Sequence, residues 1–80
     1  MFFTSDRILV TATEADLKDS GFNPANVHWL LNGRENEIER INTEDKLIML
    51  RRCGLQPVWL KFEFAKVTKR LINGQWSYKF

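Results

Sequence analysis

Cys53 and His28 are the only thiol and the only imidazole in this chain of 80 residues, so an imidazole-activated thiol nucleophile would have to be built from that pair. Reactive cysteines are favoured at helix N-termini, where the positive end of the dipole lowers the thiol pKa. Cys53 is expected instead in the last turn of a helix, where it reads as a small buried hydrophobe. His28 borders the apolar side of its segment and reads as a local hydrogen-bonding group. One Cys and one His also fall short of a closed zinc set, so no metal and no cofactor are expected. Glu35, Glu37 and Glu39 alternate through a polar stretch as solvated acids, with no pair split in environment as general acid–base chemistry requires. Glycines 21, 33, 54 and 74 each fit a helix stop or a turn, and none is grouped as a phosphate-cradling loop needs. An enzyme is therefore not expected.

Binding chemistry is better represented. The formal charge of +2 is a cancellation: residues 1–45 sum to −5 and residues 46–80 to +7. A chain this polarised suggests a polyanion as partner. The bases of the second half, Lys61, Lys66, Arg70 and Lys79, together with Trp59, are the expected binding residues. A basic sheet face with an aromatic can track a phosphate backbone and stack a base. The competing readings are a solvated or internally balanced surface, and contact with an acidic protein. In the latter case the chain is a small inhibitor or adaptor with Trp29 and Trp59 as anchors, since Trp is a preferred interface residue. Self-association through opposite-charge surfaces or an edge strand is a further expectation. Two successive short helices also suggest a helix-turn-helix, but the second offers no Lys or Arg to meet phosphate, so the match reads as coincidence.

The elements that must position these groups follow from local signals. Arg7–Thr13 is β-branched and reads as a strand running into a helix over 14–20, with Thr13 and Asp16 as a capping box and Gly21 as its stop. Asn23 as N-cap, Pro24 at the first helical position and Gly33 beyond the end mark a second helix over 24–32. Val27, Leu30 and Leu31 share its apolar face, which leaves Trp29 in need of a second surface. Residues 34–41 suit neither period cleanly: Ile38 and Ile41 are three apart. Glu44 and Asp45 before Arg51 and Arg52 match the helix dipole and predict a helix over 43–53.

The last third reads as sheet. Residues 58–64 alternate with Val58, Leu60, Phe62 and Phe64 on one side, and Asn73-Gly74 joins strands 66–72 and 75–80 as a hairpin. Its two-residue turn sets Lys66, Arg70 and Lys79 on one face and Val67, Leu71, Trp76, Tyr78 and Phe80 on the other. The expected fold is a single α+β domain, with short helices on one face of a mainly antiparallel sheet that ends in a β-hairpin. No signal peptide and no membrane span are read, and one cysteine favours a reducing compartment, so a cytoplasmic protein with no membrane contact is expected.

Overall fold

A computed structural model describes residues 1–52 and 56–79 and shows an α+β fold. Cys53, Gly54, Leu55 and Phe80, and the expectations that fall on them, lie outside the described residues. The elements run β1 (Arg7–Val10), α1 (Glu14–Asp19), α2 (Pro24–Leu30), β2 (Asn36–Asn42), β3 (Leu47–Leu50), β4 (Val58–Lys61), β5 (Ala65–Ile72) and β6 (Gln75–Ser77), with a 3-10 turn at Phe62–Phe64. Six antiparallel strands form one sheet in the order β4-β3-β2-β1-β5-β6.

Both helices form where the caps put them. The Thr13 hydroxyl accepts from the Asp16 N–H at 3.1 Å while the Asp16 carboxylate accepts from the Thr13 N–H at 3.0 Å. Asn23 Oδ1 accepts from the Asn26 N–H at 2.8 Å, with Pro24 in the first turn. Leu17 of α1 and Val27 and Leu30 of α2 are buried with Ile8, Ile38, Ile48, Leu50, Val58 and Leu60 of the sheet. Each such aliphatic side chain taken from water contributes about 1.5–3 kcal/mol, so this one-sided layer is the main source of stability.

Residues 34–41, whose pattern suits neither period, supply most of β2, and its bulge explains their spacing. The register shifts between Ile38 and Arg40, so Glu39 is the extra residue. That insertion returns Ile41 to the core side, where Ile38 already lies.

The expected helix over 43–53 is not formed: residues 43–46 are a turn and 47–50 are β3. Asn42 Oδ1 accepts from the Asp45 N–H at 3.0 Å, and Lys46 takes φ +57, so the acids serve a hairpin turn instead of a first helical turn. Pairing with β2 and β4 then buries Ile48 and Leu50, and this tertiary gain outweighs the dipole match. The run at 58–64 is also shorter than expected, since β4 stops at Lys61, yet Phe62 and Phe64 still pack against the core from the 3-10 turn. Likewise β1 ends at Val10 and β6 at Ser77.

At the hairpin the expected pairs form: Ile72 with Gln75, Leu71 with Trp76 and Arg70 with Ser77. Asn73 and Gly74 take φ +50 and +80, the left-handed pair that a two-residue turn requires.

Candidate functional site: the uncovered sheet face

The helices cover one face of the sheet. On the other, side chains follow from strand alternation and register: Leu9 beside Lys66, Arg7 beside both Glu37 and Lys69, Arg40 beside Met49, Met49 beside Trp59, and Leu47 beside Lys61. These side chains are half-buried or exposed, and Trp59 and Trp76 are each 39% exposed.

A continuous row crosses this face from one edge. The ring of Trp76 has the Arg7 guanidinium 5.3 Å and the Lys69 ammonium 5.1 Å from its centroid. Arg7 Nη2 lies 3.1 Å from Glu37 Oε1, and Arg51 Nη1 donates to Glu37 Oε2 at 3.1 Å. Lys69 Nζ lies 3.9 Å from Glu35, whose carboxylate also accepts from the Thr68 hydroxyl. On one side of the row stands Lys66, and on the other Arg40 and Lys61. These three bases have no carboxylate partner among the described residues.

The sequence placed Arg70 beside Lys66 and Lys79, and the structure separates them. The register of β5 against β1 slips between Ile8–Val67 and Arg7–Lys69, which makes Thr68 a bulge and inverts the facing of every later residue. Lys66 stays on the uncovered face, while Arg70 turns to the core side and meets Asp6. Its Nε and Nη2 donate to the two Asp6 oxygens at 2.9 Å each, its Nη2 also donates to the Met1 carbonyl, and it stacks 4.3 Å from the Phe3 ring. The hydrogen bond that Arg70 donates to Asp6 holds the Arg70 pKa above that of an ordinary arginine. The same slip corrects the expected apolar face, because Val67 packs on the core whereas Leu71 and Trp76 lie on the outer side.

Lys79 lies past the end of β6, in a bend where the Ser77 hydroxyl donates to its carbonyl at 2.7 Å. Tyr78 is exposed in the same bend. Trp59 and Lys61 do project outward, as the alternation of 58–64 requires. Trp29 is half-buried against the core, and the second surface it needed is Arg52, whose guanidinium sits 4.3 Å from the ring while Nη1 donates to Asn26 Oδ1 at 2.8 Å. His28 is exposed on α2.

Arg7, Arg51, Lys69 and Trp76 are site residues the sequence reading missed. Arg7 and Arg51 each stand at the end of an alternating strand, which is a readable signal, but their neighbours are set by strand order. The acids divide in the same way. Glu14, Asp16 and Asp19 belong to α1, on the helical side of the sheet, whereas Glu35 and Glu37 come from the β2 segment and enter the basic face.

An open groove of about 400 Å³ at one end of this face is lined by Asp45, Lys46, Leu47, Lys61, Phe62 and Glu63. Its two carboxylates and two ammoniums balance and present no single sign to a ligand. Among the described residues no three His, Cys, Asp or Glu side chains converge as a metal site, and no helix is long and apolar enough to cross a membrane.

Comparison with protein-family models, curated proteins and solved structures finds no match to this chain.

Proposed function

We propose that the uncovered sheet face binds single-stranded nucleic acid. The observation that carries this reading is the combination of Trp59 and Trp76, both partly exposed, with Arg40, Lys61 and Lys66, which have no acid partner among the described residues, on one open face. Aromatic rings on a basic surface supply stacking of about 1–3 kcal/mol per base, and unpaired cations supply counterion release. An open sheet is suited to this because its side chains stand in fixed rows that a flexible strand can lie across.

The test is fluorescence anisotropy with a labelled single-stranded oligonucleotide over a salt series. If Arg40, Lys61 and Lys66 each neutralise one phosphate, log K falls against log salt with a slope of about −2. Trp59→Ala and Trp76→Ala each weaken binding by about fivefold or more. Absence of binding at about 50 mM salt overturns the reading.

An acidic protein surface is the second reading, favoured by Leu9, Leu47, Met49 and Leu71 among the bases, since Trp, Met and Arg are enriched at protein interfaces. It predicts a shallow salt dependence with loss dominated by the two tryptophans.

A further inference from the structure

Within the nucleic-acid reading, on which this inference rests, Glu37 occupies an unusual place. Its two carboxylate oxygens are taken by different arginines, Oε1 by Arg7 and Oε2 by Arg51, each at 3.1 Å. A carboxylate held between guanidiniums sits where a phosphate would, because both anions offer paired oxygens to the arginine fork. The position is also central. Lys66 lies on one side of the row and Arg40 and Lys61 on the other, so a strand that touches bases on both sides crosses the row at the Arg7–Glu37 pair.

We infer that Glu37 is a specificity-determining residue of this face, a built-in competitor for phosphate that lowers affinity for polyanions. It acts in two ways. In the free protein it pairs with Arg7 through Nη2 and with Arg51 through Nη1, so an incoming phosphate must exchange with it. In the complex it places a negative charge beside the strand. A like charge at about 4 Å in water is enough to weaken binding by about fivefold. Bases and sugars, which carry no charge, do not suffer this repulsion, so the row from Trp76 to Arg51 favours a base over it and phosphates to either side.

The experiment compares wild type, Glu37→Gln and Glu14→Gln for binding to the same labelled single-stranded oligonucleotide. Both variants remove one negative charge, but Glu14 pairs with Lys18 on α1, away from the sheet's open face. Glu37→Gln is expected to bind about fivefold tighter, with a salt slope steeper by about 0.7 to 1.4 as one or two arginines become free for phosphate, while Glu14→Gln stays close to wild type. Equal tightening in both variants overturns the inference, since net charge alone would then explain it. Unchanged or weaker binding by Glu37→Gln, with wild type binding normally, overturns the inference and leaves the reading of the face standing. No binding by wild type or by Glu37→Gln overturns both.

Discussion

Arg70 and Asp6, 64 positions apart in the chain, form a two-pronged ion pair that ties β5 to the segment preceding β1. The Asp6 side chain is 1% exposed and the Arg70 side chain 15%, so neither charge is well solvated. The contact also fixes the N-terminus, because Asp6 accepts from the Phe3 N–H at 2.9 Å and Arg70 reaches the Met1 carbonyl.

Removing one partner of such a pair strands a buried charge. Asp6→Leu is therefore expected to cost about 3–5 kcal/mol, a large part of the stability available to a domain of this size. Asp6→Leu combined with Arg70→Met removes both charges and recovers part of the loss. A double-mutant cycle in urea measures the coupling, and strictly additive losses would show that the two side chains do not act as a pair.

What was legible in the sequence follows the range of the interaction that sets it. The caps at Thr13 and Asn23 and the Asn73-Gly74 turn act over two to four residues, and each formed as read. The failures share a cause at longer range. Thr68 becomes a bulge only because β5 pairs with β1, a strand far earlier in the chain, and that one residue moves Arg70 off the face it was assigned to. The acids of the turn over 43–46 fit a helix dipole and so point to a helix start, whereas burial of Ile48 and Leu50 between β2 and β4 depends on strand order. The candidate site was legible in kind, as bases with tryptophan on a sheet. Its membership was not, since Arg7, Glu37, Arg51, Lys69 and Trp76 come from four strands and the end of a fifth.

The Asp16 carboxyl gives the fold a defined acid sensitivity. The backbone N–H of Thr13, and then its hydroxyl, hold the Asp16 pKa below the ordinary value of 3.8. A carboxylate depressed on folding adds stability at pH above its unfolded pKa, and that contribution is lost as pH falls through the folded one. Thr13→Ala should therefore lower the urea midpoint at pH 7, and its deficit relative to wild type should shrink as pH drops below about 4. A deficit that stays constant from neutral pH down to about pH 2 would mean that the Thr13 hydroxyl has no part in depressing Asp16.

Lys66 and Arg70 are four residues apart in β5 and should respond to charge reversal in opposite ways, because the Thr68 bulge sets them on different faces. Lys66→Glu changes an exposed side chain with no acid partner among the described residues. Its effect on stability should be within about 0.5 kcal/mol, the usual range for a surface site. Binding of a single-stranded oligonucleotide should nonetheless fall, with loss of one phosphate contact and, through the new charge, repulsion of the next. Arg70→Glu sets a second carboxylate against buried Asp6 and should unfold much of the population before binding can be read. Thermal denaturation followed by circular dichroism, run beside the binding assay, separates the two outcomes. A folded Arg70→Glu variant that fails to bind, together with a Lys66→Glu variant that binds like wild type, would restore Arg70 to the binding surface and overturn the assignment of faces made by the bulge.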